Sequence, residues 1–167
     1  KQFVLVDCMT LAILYTLRIV AGGVAVESAM SFWLLAFSVF LFLSLAFIKR
    51  FTELQVQLLH RKDKSHGRGY FTEDAPLINT LGVTSGFMSI LVLALYLNSV
   101  EVQRLYVHPE WVWGCVPVML VWVSWLWLSA HRGNMHDDPL IFAVKDKLSV
   151  AAGILFGVFM LIGSANL

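Results

Sequence analysis

The chain has 167 residues and a formal net charge of +1; 59% of the residues are hydrophobic and 14% are charged. Its mean hydropathy is +0.77. Soluble domains are about half apolar and a quarter charged, so this composition excludes an ordinary soluble domain.

Long apolar stretches dominate the sequence. A bilayer core of about 30 Å requires about 20 apolar residues in a helix. Five stretches meet or approach that length: residues 3–21, 31–48, 77–98, 111–130 and 148–167. We therefore predict an all-α fold, a polytopic transmembrane helical bundle with five spans. The chain begins at Lys1 without a signal-peptide pattern, and we expect residues 1–167 to be the C-terminal part of a longer membrane protein.

The first span carries two ionisable residues, Asp7 and Arg18. They lie eleven residues apart, so a helix places them on one face and about 16 Å from each other. Such groups either face the bundle interior or extend from the span ends to the membrane surface, and both interpretations stay open. Gly22 and Gly23 then predict the end of this helix.

The connections alternate in their content of Lys and Arg. Residues 22–30 have none, residues 49–76 have six, residues 99–110 have one, and residues 131–147 have three. The positive-inside rule therefore predicts cytoplasmic connections at 49–76 and 131–147 of a multi-pass protein in the bacterial inner (plasma) membrane.

The connection after the second span is the longest polar run of the chain. Lys49 and Glu53 are spaced i, i+4, and apolar residues beside them predict that the helix continues beyond the membrane. The run is either a topological anchor or an anion-binding segment. It holds Lys49, Arg50, Arg61, Lys62, Lys64 and Arg68.

Two later features predict packing and local contacts. Gly82 and Gly86 form a G-x-x-x-G pair, which lets membrane helices approach closely. His131, His136, Asp137 and Asp138 match no strong zinc spacing. We expect this last group to be solvated or to contact the neighbouring basic connection.

The order of short motifs resembles a known family. LR-x-x-AG ends the first span, KR-x-x-EL follows the second, and GY, DP and DK occur further on. This order resembles the C-terminal half of a UbiA-superfamily membrane transferase, most closely the decaprenyl-phosphate phosphoribosyltransferase branch, which includes bacterial members with a fused haloacid-dehalogenase-like domain. The motif residues are Leu17, Arg18, Ala21, Gly22, Lys49, Arg50, Glu53, Leu54, Gly69, Tyr70, Asp138, Pro139, Asp146 and Lys147.

The resemblance implies a nine-helix fold of which this chain supplies helices five to nine. It also implies that the main metal-binding motif of the family lies upstream of Lys1, so that residues 1–167 alone are inactive. The prenyl-transferring branches carry D-x-x-x-D after helix six, and this sequence has no such motif. The phosphoribosyl-type branch is therefore favoured.

The same resemblance implies a site around the central connection. Lys49, Arg50, Arg68 and Arg18 are expected to bind substrate phosphate, as basic side chains do. Tyr70 and Asp7 are expected to contact substrate or line the cavity, and Glu53 to bind magnesium (Mg2+). The expected partners are a polyprenyl phosphate or diphosphate lipid, phosphoribosyl diphosphate and the bilayer, and not nucleic acid.

Two alternatives remain beside the phosphoribosyl transfer. The first is a prenyltransferase that moves a polyprenyl chain onto an aromatic or lipid acceptor. The second is a carrier or scaffold without enzymatic activity, whose basic connection binds anionic lipid headgroups.

Overall fold

The computed structural model describes residues 5–25, 31–59, 71–135 and 138–164. Every regular element in these ranges is helical. The helices are α1 (Val6–Ala25), α2 (Phe32–Leu59), α3 (Ala75–Leu97), α4 (Val100–Leu105), α5 (Pro109–Val112), α6 (Cys115–His131), α7 (Pro139–Lys145) and α8 (Lys147–Ser164), with a short 3-10 turn at Thr72–Asp74.

Five segments of the described chain are long and apolar enough to cross a membrane. They are Val6–Ala25, Phe32–Leu58, Thr72–Leu97, Pro109–His131 and Lys147–Ser164. This finding confirms the prediction of an all-α chain with five candidate membrane spans.

One predicted helix boundary was wrong. Helix α1 does not end at Gly22 and Gly23 but continues to Ala25, because a helix in an apolar solvent satisfies its own backbone groups and tolerates glycine. The fourth span is present, and a turn at Trp113–Gly114 within it separates α5 from α6. Gly114 lies against the ring of Phe159 of α8, and a side chain there would collide with that ring.

Helix α2 is the centre of the bundle. It packs against α1, α3, α6 and α7, and it runs for 28 residues, as the apolar residues beyond the predicted span suggested. Phe51 and Leu54, which follow the basic pair Lys49–Arg50, are 3% and 0% exposed. The turn that follows the basic pair is therefore also buried, which supports the continuation of the helix.

The glycine pair of α3 brings three helices together. A methyl group on Gly82 would lie 2.7 Å from Cβ of Phe47 and even nearer to the ring of Trp127. Trp127 donates a hydrogen bond from Nε1 to Oγ of Ser44 (3.1 Å), and Ser44 donates to the carbonyl of Gly82 (2.8 Å). The close approach that the G-x-x-x-G pair predicted is confirmed.

We predict that Gly82→Ala destabilises the protein by about 1–3 kcal/mol, the usual effect of overpacking a rigid interior. Gly153→Ala on α8 is the matched control, because a methyl group there meets no atom within 4 Å. Thermal unfolding in detergent measures both variants. Equal midpoints for the two variants would contradict the tight packing at Gly82.

Candidate functional site

Helices α1 and α2 run antiparallel, and this arrangement positions the candidate site. The ring of Tyr15 stacks on that of Phe42, with centroids 5.3 Å apart. Cys8 Sγ lies 3.9 Å from the carbonyl oxygen of Ala46. The start of α1 therefore lies beside the turn of α2 that contains Lys49 and Arg50.

Arg50 is the centre of a buried ion cluster. Its side chain is 4% exposed, and its guanidinium contacts two carboxylates. One Nη atom contacts Oδ2 of Asp7 on α1, and the other contacts Oε2 of Glu53, three residues along α2. A guanidinium inside a membrane bundle is stable only when anionic partners compensate its desolvation, and here one partner comes from each helix.

Lys49 forms a second ion pair on a more exposed side of α2. Its Nζ lies 2.7 Å from Oδ2 of Asp138, and the two side chains are 43% and 26% exposed. Asp138 is also the N-cap of α7, because its Oδ1 accepts a hydrogen bond from the backbone N–H of Leu140 (3.1 Å). This single pair therefore joins α2 to the start of α7.

The Lys49–Asp138 pair borders a narrow cleft of about 20 Å³ between α1, α2 and α7. Leu11 and Tyr15 line it from α1, and Phe42 and Leu45 from α2. Partial burial would raise the pKa of Asp138, but hydrogen bonds from Lys49 and from the Leu140 N–H, with the charge of Lys49, hold that pKa below its ordinary value of 3.8. The cleft thus has one cation and one carboxylate above an apolar floor.

The structure brings together four of the predicted site residues: Asp7, Lys49, Arg50 and Glu53. Arg18 lies about 16 Å from Asp7 along α1 and is exposed, with its guanidinium 5.1 Å from the ring centroid of Tyr15. It is therefore outside this group. Arg68 and Tyr70 fall outside the described residues.

The structure specifies two contacts of the site region more fully than the sequence did. The pairing of Asp138 with Lys49 joins residues 89 positions apart and agrees with the expected contact between Asp138 and the basic connection, although the sequence did not identify Lys49 as the partner. Asp146 is the second case. Its Oδ2 accepts hydrogen bonds from Trp125 Nε1 (3.0 Å) and from the backbone N–H and hydroxyl of Ser149 (2.8 and 2.9 Å).

The pKa of Asp146 is also low. Burial would raise it, but the hydrogen bonds from Ser149, Trp125 and the Leu148 N–H lower it overall. The aspartate therefore remains ionised at the start of α8, where a negative charge stabilises the helix.

No group of three or more His, Cys, Asp or Glu side chains that could hold a metal ion occurs among the residues that the structure describes. Asp7 and Glu53 nevertheless converge on one guanidinium, so their carboxylates lie near each other. Magnesium often takes one or two carboxylates from a protein and completes its coordination with substrate phosphates and water. In this structure both carboxylates are paired with the Arg50 guanidinium, so a magnesium ion would have to share them with Arg50.

The chain is similar to two known proteins. It is 40% identical to the uncharacterized protein y4nM of Sinorhizobium fredii over 156 residues, which are 93% of this chain and 30% of that protein. It is 33% identical to the nodulation protein NoeC of Azorhizobium caulinodans over 157 residues, which are 90% of this chain and 51% of that protein.

The chain therefore spans about half of one of these relatives and less than a third of the other. No protein-family model matches it. No solved structure matches it either.

We predict that Arg50→Met destabilises the protein far more than Lys49→Met. The first change leaves two carboxylates facing a buried position. Removing one partner of a fully buried pair costs about 3–5 kcal/mol, and since these carboxylates are about 30% exposed we expect about 2–3 kcal/mol. The second change removes a half-exposed pair worth less than about 1 kcal/mol. Unfolding in mixed micelles measures both, and a larger effect at Lys49 would contradict the central role of Arg50.

We also predict an acid-dependent contribution from Asp138. Its pKa is lowered on folding, so its stabilisation is complete above the unfolded pKa of about 4 and is lost as the pH falls through the lower folded pKa. Wild type should therefore unfold at a higher temperature than Asp138→Asn at pH 7. The difference should shrink below about pH 4. If the difference in unfolding temperature stays constant down to about pH 2.5, the Asp138 carboxylate does not make this contribution.

Proposed function

We propose that this chain is part of an integral-membrane transferase of the UbiA type that acts on polyprenyl phosphate or diphosphate lipids. The proposed reaction is the transfer of a phosphoribosyl group from phosphoribosyl diphosphate to polyprenyl phosphate. The motif order supports it, and so does the ion cluster at the end of an apolar span. A lipid phosphate requires basic groups for its anionic head and an apolar surface for its chain, which is insoluble in water.

The observation that carries the proposal is the different burial of two adjacent basic residues. Arg50 is 4% exposed and held by Asp7 and Glu53, whereas Lys49 is 43% exposed at the cleft beside α7. Lys49 is therefore the side chain that meets an incoming phosphate. Arg50 acts as a positioning residue, because it holds Asp7 of α1 and the carboxylate of Glu53 beside each other. The proposal also includes the substrate contacts that were predicted from the sequence for Arg18, Arg68 and Tyr70.

The charge balance of the site supports a cation beside the phosphate. Among the described residues the cluster has three carboxylates, Asp7, Glu53 and Asp138, and two basic groups, Lys49 and Arg50. Glu53, with Asp7 beside it, would hold the proposed magnesium ion, which neutralises phosphate charge when it is bound. Lys49 would orient the lipid phosphate as a point charge.

The proposal includes an orientation in the bacterial inner membrane. The positive-inside rule favours a cytoplasmic location for residues 49–76 and 131–147. The Lys49–Asp138 pair joins these two connections, which supports their being on one side of the membrane. The site would then open towards the compartment where phosphoribosyl diphosphate, a soluble anion, is available.

We predict that the full-length protein in membranes forms a labelled lipid from radiolabelled phosphoribosyl diphosphate, decaprenyl phosphate and magnesium. Lys49→Gln should lower the rate by at least about tenfold, because the phosphate loses its nearest described cation. Lys62→Gln and Lys64→Gln are the controls, since the proposal gives these residues no phosphate contact. Glu53→Gln should raise the magnesium concentration that is required.

Three results would contradict the proposed phosphoribosyl transfer. Product formation only from a prenyl diphosphate and an aromatic or lipid acceptor would establish a prenyltransferase. Equal sensitivity of Lys49, Lys62 and Lys64 would indicate general attraction of anionic lipids. If no product forms with any donor, although circular dichroism shows that the protein is folded, a carrier or scaffold would be favoured.

A further inference from the structure

The short helix α7 covers one side of the narrow cleft between α1 and α2. Its first residues, Pro139 and Leu140, line that cleft together with the Lys49–Asp138 pair, and the helix packs against α2 and α8. Much of its outer surface is open, since Val144 is 77% exposed. The position of α7 therefore depends strongly on how its two ends are attached.

The two ends of α7 are attached differently. At its start, Asp138 is joined to α2 by its ion pair with Lys49, and both side chains are partly exposed. At its end, Asp146 accepts hydrogen bonds from Nε1 of Trp125 (3.0 Å) and from the backbone N–H (2.8 Å) and hydroxyl (2.9 Å) of Ser149. An exposed ion pair contributes little to stability, whereas hydrogen bonds to an ionised acceptor are among the stronger ones. The start of α7 is therefore the weaker attachment.

The junction of α7 with α8 has the form of a hinge. Asp146 alone separates the two helices, and its backbone is extended, with φ −78° and ψ 127°. Hinges are commonly a few residues at the ends of helices or strands that absorb a change in backbone angle. Rotation about the N–Cα bond of Asp146 moves α7 but leaves the Asp146 side chain with α8. The contacts with Trp125 and Ser149 can therefore persist while the start of α7 moves.

The cleft has no room for a lipid chain while α7 is in this position. Its volume of about 20 Å³ is enough for about one water molecule. Its floor is apolar and consists of Leu11 and Tyr15 of α1 with Phe42 and Leu45 of α2. The Arg50 ion cluster holds α1 against α2, so the cleft can widen more easily by a movement of α7 than by a separation of these two helices.

We propose that α7 is a lid on the lipid-phosphate site, and that Asp138 keeps this lid closed by pairing with Lys49 in place of the substrate phosphate. A polyprenyl phosphate that binds Lys49 displaces the Asp138 carboxylate, α7 turns about Asp146, and the first part of the chain lies on the floor of the cleft. The charge of Lys49 is compensated in both states, first by a carboxylate and then by a phosphate. This lid rests on the proposed binding of a lipid phosphate at Lys49, and it involves no covalent step.

Distances between pairs of spin labels on the full-length protein in nanodiscs test the lid. Labels at Ile141→Cys of α7 and Leu17→Cys of α1 measure its position, because both residues are exposed and neither lines the cleft. The matched control pair combines Leu17→Cys with Ile154→Cys of α8, which is also exposed. Cys8 and Cys115 are buried, so they stay in place, and accessible cysteines elsewhere in the full-length protein are replaced.

Added decaprenyl phosphate should lengthen the α7–α1 distance by at least about 4 Å, because Ile141 lies five residues, or about 7 Å, from the hinge. It should leave the α8–α1 distance unchanged. Decaprenol, which has the same chain and no phosphate, should leave both distances unchanged.

Asp138→Asn should populate the longer α7–α1 distance without any lipid, because asparagine removes the charge but still caps a helix. The same variant should bind decaprenyl phosphate about two- to fivefold more tightly, since the competing ion pair is weak. Glu110→Gln is the control for loss of a carboxylate. Its ion pair with His108 lies beside α5, away from α7, and it should change neither the distance nor the affinity.

The lid is overturned if the α7–α1 distance stays constant either in Asp138→Asn or after addition of decaprenyl phosphate, or if decaprenol opens α7 equally well. The proposed reaction is tested separately. Opening by decaprenyl phosphate without any labelled product in the transferase assay would support the lid and contradict the phosphoribosyl transfer. Product formation at a constant α7–α1 distance would overturn the lid and leave the transfer in place.

Discussion

The described structure depends on one interaction, the buried guanidinium of Arg50 between Asp7 and Glu53. Charges inside a membrane protein are costly unless they are paired. Asp7 lies on α1, so the pairing requires α1 to stay in one register along α2. A slip by one residue would rotate Asp7 by about 100° around its helix and remove it from Arg50. The cluster therefore specifies how the first two helices pack.

A second constraint comes from helix α2 itself. Its buried residues include Phe47 and Ile48 before the basic pair and Phe51 and Leu54 after it, so one continuous helix links the apolar interior to the charged site. The glycines of α3 and the ring of Trp127 pack against the same helix. Packing on several sides of α2 therefore fixes the position of Lys49, Arg50 and Glu53, which lie on a helix and not on a loop.

The spans could be predicted because hydrocarbon thickness sets the length of an apolar helix, and hydropathy is a property of the sequence alone. The turn at Trp113–Gly114 could not, because it depends on contact with Phe159, 45 residues away. The site shows the same division. The sequence identified Lys49, Arg50 and Glu53 as neighbours along α2, but the pairing of Arg50 with Asp7 and of Lys49 with Asp138 depends on how the helices pack. Hydropathy and i, i+4 spacing contain no information about such contacts.

The adjacent basic residues of α2 have different surroundings because consecutive helical positions differ in direction by about 100°. Arg50 points between α1 and the next turn of α2, where its charge is compensated and shielded from solvent. Lys49 points towards α7 and is paired with a single carboxylate, that of Asp138. An anion that binds Lys49 must compete with Asp138, and Asp138 also caps α7. Binding of an anion at the cleft would therefore be coupled to the start of α7.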